Sequence, residues 1–281
     1  MKLRITFFLL LISAHMACLA QISVMTYNIR YDTPNDGENW WENRKQDVTD
    51  LILRYRPDFM GIQEGLDHQV TYLDQILEEY AFVGIGRDGA GITSEYTAIF
   101  FDTTKYKLIE SKTFWLSPTP DQVSRGWDAA LNRITTYARF EARASAEQFH
   151  VFNAHFDHIG VEARERSAQL ILEQISQWNL LDEQLIVMGD FNSTPESKPI
   201  KTFNESLVDT RLVSGNRSFG PEGTFNAFDK DAELTDRIDF VFVKNIKVLR
   251  QRHIDDLRPN MLWPSDHLPV FSELEKLKSR P

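Results

Sequence analysis

Six apolar runs in this chain each meet a carboxylate, an amide or an imidazole at one end, and that repetition limits its architecture more than any other feature. Val24-Met25-Thr26-Tyr27 runs into Asn28, and Phe59-Met60-Gly61-Ile62-Gln63 runs into Glu64. Val151-Phe152-Asn153-Ala154 runs into His155, and Leu185-Ile186-Val187-Met188-Gly189 runs into Asp190, with Asn192 two residues on. Asp239 opens an apolar run after Arg237-Ile238, and Ser265-Asp266-His267 precedes Leu268-Pro269-Val270. One polar residue at a strand end is ordinary, because strands end in polar loops. Six such ends point to a shared sheet rim, where sites are usually built.

The elements between these ends follow from periodicity. Val48, Leu51, Ile52 and Tyr55 recur at i, i+3, i+4 and i+7, which predicts an amphipathic helix over 41–56, stopped by Pro57. Val70, Leu73, Ile76 and Leu77 predict a second helix over 66–80, and Leu170, Ile171, Ile175 and Trp178 a third over 161–178. Strands are expected over 22–27, 58–63, 96–101, 135–142, 148–154 and 184–189. The stretch 84–91 is rich in glycine and reads as a loop. Residues 238–243 and 246–249 read as a hairpin across Lys244-Asn245. Helices alternate with strands while hairpin-like pairs intrude, so mixed sheets covered by helices are expected.

The first twenty residues follow a different logic. Lys2 and Arg4 precede the apolar run 7–12, and Cys18-Leu19-Ala20 has the small-x-small form of a cleavage site. That order is a secretory signal peptide in form, leaving 21–281 as a single exported domain, periplasmic or extracellular. Processing at Cys18 as a lipoprotein is the alternative, although His15 stands where a Leu-like residue belongs. Loss of Lys2 and Arg4 would take the net charge from −10 to −12. So acidic a chain, with no run of Lys or Arg, argues against tight nonspecific binding of duplex nucleic acid. The one cysteine excludes an intrachain disulfide framework and a cysteine-based zinc site.

Glu64 and Asp266 offer hard oxygen ligands, with the Asn28 amide as neutral support. That set suits Mg²⁺, Mn²⁺ or Ca²⁺ better than zinc. Asp190 and Asn192 flank Phe191, so both side chains can enter one pocket. Arg133, at the start of an expected strand, is read as a phosphate-binding residue or a surface ion-pair partner, and His158 as a surface or supporting residue. Trp263, three residues before Asp266, is the tryptophan read as lining a substrate cleft. The stretch 110–133, with Trp115, Arg125, Trp127 and Arg133, could stack on a sugar or a single strand.

In their order, Tyr27-Asn28-Ile29-Arg30, Gly61-Ile62-Gln63-Glu64, Asn153-Ala154-His155-Phe156-Asp157, Gly189-Asp190-Phe191-Asn192, Arg237-Ile238-Asp239 and Ser265-Asp266-His267 resemble the endonuclease/exonuclease/phosphatase superfamily. Residues 155–164 resemble its secreted bacterial members. The resemblance implies a four-layer α/β sandwich, two mixed β-sheets face to face with helices on both outer faces. It implies metal-dependent phosphoester hydrolysis by in-line attack of activated water. Glu64 would be the principal Mg²⁺ ligand, supported by Asn28, and Asp266 would lie near the metal or a second metal. Asp190 would position or deprotonate the water. Asn192 would donate to a phosphoryl oxygen, and His155 would bind phosphate or serve the leaving group. His267 would be the general base or the group that holds the scissile phosphate, with Asp239 orienting its ring. Arg30 departs from the acidic residue that some nuclease members carry there. It could bind substrate phosphate or pair with Glu64, and it puts a second metal in doubt. The substrate is expected to be a phosphate ester of a small molecule, a lipid headgroup or a nucleic acid, handled by a monomer without an obligate protein partner. A non-catalytic binding module is the rival class, and it would be expected to have lost part of this residue set.

Overall fold

Two central parallel strand pairs organise the molecule. The computed structural model describes residues 21–277, so the expected signal peptide lies outside the described residues. In chain order the elements are β1 (Gln21–Asn28), α1 (Trp41–Tyr55), β2 (Phe59–Gly65), α2 (Asp67–Ile76), β3 (Tyr80–Val83), β4 (Tyr96–Asp102), β5 (Tyr106–Trp115), β6 (Ile134–Ala142) and β7 (Gln148–His155). There follow α3 (Val161–Gln177), β8 (Leu185–Asp190), α4 (Lys198–Asn204), β9 (Val208–Asp209), α5 (Thr210–Ser214), β10 (Ser218–Phe219), β11 (Asp239–Lys244), β12 (Ile246–His253) and β13 (Val270–Lys276). One sheet has the order β10-β12-β13-β1-β2-β4-β3 and the other β5-β6-β7-β8-β11-β9. In the first, β1 and β2 are parallel and α1 lies between them in sequence; in the second, β7 and β8 are parallel with α3 between them. Most other pairings are antiparallel, so both sheets are mixed. The carboxyl ends of β1, β2, β7 and β8 carry Asn28, Glu64, His155 and Asp190 to one edge of the sandwich.

Alternation along each strand builds the layers. Ile22 and Val24 of β1 point into the inter-sheet core with Phe59, Ile99, Phe140, Val151, Ile186 and Val241. Met25 and Tyr27 point the other way, onto Val48, Ile52, Val70 and Leu73 of α1 and α2. On the far side, Phe152, Val187 and Phe242 pack against Ile171, Ile175, Ile200 and Phe203 of α3 and α4. Helix, sheet, sheet and helix give the four layers. Each fully buried large side chain contributes roughly 1.5–3 kcal/mol of transfer free energy to this stack.

Polar contacts tie the sheets together under the rim. Asn153 Nδ2 donates to the carbonyls of Ile62 (2.9 Å) and Ala98 (2.8 Å), and its Oδ1 accepts from Gln63 Nε2 (2.6 Å). A Cβ on Gly61 would lie 2.6 Å from the Asn153 side chain, so only glycine fits beneath it. Gly189, at φ 153°, lets β8 approach β7 so closely that a Cβ would sit 2.0 Å from the Ala154 carbonyl oxygen. This close approach sets the position of Asp190.

Two expectations need correction. The second helix stops at Ile76, and Tyr80 opens β3 instead of closing the helix. Pairing with β4 and the Tyr80 hydroxyl bond to the Pro57 carbonyl (2.8 Å) outweigh helical propensity there. Residues 238–249 are no hairpin: β11 pairs with β8 and β9, whereas β12 joins β13 and β10 in the other sheet. The chain turns the corner at Asn245 (φ 57°), whose Nδ2 donates to the carbonyls of Leu181 (3.1 Å) and Glu183 (2.8 Å). Part of the stretch 110–133 belongs to the edge strand β5, which exposes most of its length and shows no clean alternation.

Two buried histidines give the fold an acid limit. Burial pushes His150 down to about 4, helped by Arg139, and His253 down to about 3, helped by Arg211. Both are neutral in the folded state, so the unfolded chain binds protons first as pH falls below about 6.5. These two groups therefore contribute a loss of stability from pH 6.5 toward 4, opposite in sign to the raised carboxylates of Asp190 and Asp266. His150→Phe keeps a ring in place, and the Tyr137 hydroxyl retains its bond to Glu110 (3.2 Å). Its melting temperature should depend less steeply on pH than that of the parent, and equal slopes would contradict the neutral assignment.

Candidate active site

At the rim, sharp local backbone geometry aims the side chains. Glu64 sits at φ 64°, in an irregularity where β2 pairs through Gln63 and again through Gly65. Such a bulge re-aims a side chain at a sheet edge. Its Oε1 accepts from Asn28 Nδ2 (3.0 Å) and its Oε2 from the Tyr31 N–H (3.1 Å). Arg44, wholly buried on α1, donates to the carbonyls of Ile29 (2.5 Å), Arg30 (2.9 Å) and Pro264 (3.2 Å). Ser265 Oγ donates to the Asn28 carbonyl (2.7 Å). These bonds fasten the turn after β1 to the segment that carries Asp266 and His267.

The strand ends do converge. A cleft of about 490 Å³ is lined by Arg30, Glu64, Arg133, His155, Asp190, Asn192, Asp266 and His267. His267 Nδ1 lies 2.9 Å from Asp239 Oδ2, and its Nε2 lies 3.8 Å from Asp190 Oδ2. Asp190 Oδ2 accepts from Asn28 Nδ2 (3.0 Å) and lies 3.6 Å from His155 Nε2. Its Oδ1 accepts from the Asn192 N–H (2.9 Å), while Asn192 Nδ2 donates to the Phe156 carbonyl (3.0 Å). Thr224 Oγ1 accepts from the backbone N–H groups of Ile238 (3.1 Å) and Asp239 (3.2 Å), which holds the start of β11. Asp190, Asp239 and His267 each bring one potential ligand atom within 4.8 Å of the others.

Buried charge dominates the chemistry. Burial and the neighbouring Asp239 push Asp190 up to about 7, against the pull of His267. Burial and Glu64 push Asp266 up to about 6, against His267, Arg30 and Arg44. For His267, burial opposes the charge but the carboxylates of Asp239, Asp190 and Asp266 outweigh it, holding the imidazole well above its ordinary value. Burial, with Arg133 and Arg87, holds His155 far below its ordinary value. Carboxylates this crowded and this buried are short of positive charge, and a hard divalent cation fits that donor set.

The placements refine the sequence reading. Arg30 is gripped by Asp36 through two 3.1 Å contacts, and its Nη1 lies 4.0 Å from Glu64 and 3.8 Å from Asp266. Asn28 turns its nitrogen toward the carboxylates, because its Oδ1 accepts from the Arg30 N–H (3.0 Å); a role as oxygen ligand requires the amide to turn. Arg133 is not a surface pair. It is 5% exposed and braced by Asp157 (3.3 Å), His155 (3.1 Å) and His158 (2.9 Å). Asp157 also accepts from the N–H groups of Ile159 (3.0 Å) and Gly160 (2.7 Å), capping the turn before α3. Trp263 does not line the cleft: its side chain is buried, and its indole N–H donates to the Asp229 carbonyl (3.0 Å). Conversely, Arg87, Glu95, His158 and Phe225 line the cleft, and sequence reasoning gave them no such place. Arg87 comes from the aperiodic glycine-rich stretch 84–91 and Glu95 lies just after it, where no periodicity gives a signal.

The sequence profile described as the Endonuclease/Exonuclease/phosphatase family matches residues 25–267. The chain belongs to this family. A family member from Bacteroides vulgatus has a solved structure that superposes with a TM-score of 0.87 at 36% identity, covering 92% of this chain and 100% of that one. The structure of a mannosyl-6-phosphatase from Bacteroides thetaiotaomicron gives a TM-score of 0.84 at 32% identity, covering 90% of this chain and 99% of that one. Human nocturnin is 25% identical over 296 aligned positions, which cover 90% of this chain but 64% of the longer human protein.

Proposed function

We propose that this chain is a divalent-metal-dependent phosphoesterase that hydrolyses a small phosphomonoester, acting as a monomer after export. The observation that carries the reading is the meeting, in one cleft, of the Asp190 carboxylate, the His267–Asp239 pair and the Glu64–Asp266 carboxylates. Glu64 and Asp266 would hold Mg²⁺, Mn²⁺ or Ca²⁺, with Asn28 beside them. The ion would supply positive charge to the phosphoryl oxygens during transfer.

The chain's own residues account for the rest. Asp190 accepts the proton of the attacking water as the bond from phosphorus to the alcohol oxygen breaks and the departing alkoxide takes a proton from solvent water, while Asn28 and the Asn192 N–H hold that carboxylate in place. His267 directs Nε2 into the cleft because Asp239 engages Nδ1. Flanked by two carboxylates, the ring favours its protonated form, which donates to a phosphoryl oxygen. Arg133, immobilised by Asp157, His155 and His158, adds fixed positive charge to the wall. The mannosyl-6-phosphatase among the similar structures supports a phosphomonoester substrate, and the net charge of −10 does not favour a polyanion. Export rests on the order of residues 1–20, and a native mass beginning at Gln21 would support it where a retained Met1 would refute it. Release of inorganic phosphate from p-nitrophenyl phosphate with Mg²⁺ tests the activity. Turnover of DNA or RNA alone would move the assignment to a nuclease, and inertness toward every phosphate ester would refute it.

A further inference from the structure

The strip of cleft wall farthest from sequence prediction is built from both arms of one hairpin. Gly86 bridges to Tyr96, and the Arg87 N–H donates to the Glu95 carbonyl (3.0 Å), so residues 87 and 95 face each other. Their side chains also meet, Arg87 Nη1 donating to Glu95 Oε2 at 2.7 Å, with 15% and 14% of each side chain exposed. Both line the cleft. The hairpin is fixed from behind. The Trp115 indole N–H donates to the Arg87 carbonyl (2.7 Å), Asn132 Nδ2 donates to Asp88 Oδ1 (2.9 Å), and the Asp88 N–H donates to Ser94 Oγ (3.1 Å). Tyr96 pairs with Gly65, which sets Glu95 beside the Glu64 bulge.

The chemistry of this pair differs from that of the rest of the cleft. Arg87 already has Glu95 as its hydrogen-bond partner, so the pair is not an open site for a second anion. The pair leaves a carboxylate oxygen and guanidinium N–H groups side by side, an acceptor next to donors. A hydroxyl both donates and accepts. Two neighbouring hydroxyls can therefore satisfy the pair, one donating to Glu95 and the other accepting from Arg87. An alkyl chain or a bare aromatic ring would desolvate both charged groups without replacing their bonds.

From this geometry we infer that Arg87 and Glu95 form the subsite for the alcohol part of the ester, and that this part is polyhydroxylated, as in a sugar phosphate. The inference rests on the phosphoesterase reading above and adds the class of alcohol. A site built to hydrogen-bond hydroxyls discriminates strongly against analogues that lack them, because its own buried groups are then left unpaired.

The test compares kcat/KM for mannose 6-phosphate and for p-nitrophenyl phosphate, both with Mg²⁺, in the parent chain, Glu95→Ala, Arg87→Ala and Glu95→Gln. The parent should prefer the sugar phosphate. The ratio of the two kcat/KM values should fall tenfold or more in Glu95→Ala and Arg87→Ala, and less in Glu95→Gln, which keeps an acceptor. Melting temperatures near the parent's would confirm folded variants, and the two alanine variants report independently. A parent without preference, or ratios unchanged by both alanine variants, overturns the assignment while leaving the phosphoesterase intact. A parent inert toward both esters overturns the phosphoesterase reading and this inference with it.

Discussion

His267→Ala is expected to lower kcat by at least about 10²-fold, the low end of what a positioned proton-transferring or oxyanion-stabilising group contributes. The ring is buried, fixed through Nδ1 by Asp239 at 2.9 Å, and presents Nε2 beside Asp190. Phosphoryl transfer leaves little covalent chemistry to the protein, so a fixed donor at the reacting phosphate carries a large share of the barrier reduction. Asp239→Asn should lower kcat in the same direction, because it removes the orienting charge while preserving the shape. Steady-state kinetics on p-nitrophenyl phosphate, with circular dichroism to verify folding, would check both. A His267→Ala chain within about threefold of the parent would remove His267 from the site's chemistry, since even the low end of that range is larger.

Glu64→Gln is expected to abolish detectable turnover at Mg²⁺ concentrations that saturate the parent, with partial recovery only at much higher concentrations. The substitution keeps an acceptor for the Tyr31 N–H, gives up the one for Asn28 Nδ2, and deletes the charge that faces the cleft. Relief of the crowding with Asp266 offsets the lost bond, so the variant should melt near the parent. Loss of metal response without loss of stability separates a ligand from a structural carboxylate. A variant with unchanged Mg²⁺ dependence would show that the ion is held elsewhere, for instance by Asp190, Asp239 and His267.

What could be read from the sequence depended on whether a residue's role was local. Asn28, Glu64, His155 and Asp190 were visible because each follows an apolar run, and the parallel pairs β1–β2 and β7–β8 bring those run ends together. Asp239 and Asp266-His267 were visible from the other side, as polar groups that precede apolar runs. Mixed sheets covered by helices followed from strands and helices of readable period, whereas the four-layer sandwich was implied by the family resemblance; its layers match the alternation of Ile22 and Val24 with Met25 and Tyr27. Residues whose meaning depends on distant partners were not legible. Arg44, a charge on α1, is buried against carbonyls 5 to 220 positions away. No periodicity marks Arg87 or Glu95. The break between β11 and β12 was hidden because a strand pair that changes sheets has the same local pattern as a hairpin. Trp263 misled by proximity: it precedes Asp266 by three residues, but its indole is held by the Asp229 carbonyl.

The central claim is that a hard cation and the cleft's carboxylates act together on a phosphate ester. Its most direct test is phosphate release by the parent chain after dialysis against EDTA, followed by titration with Mg²⁺, Mn²⁺, Ca²⁺ or Zn²⁺. Turnover should vanish in EDTA and return with Mg²⁺ or Mn²⁺. Full activity in EDTA, or recovery with Zn²⁺ alone, would contradict the account.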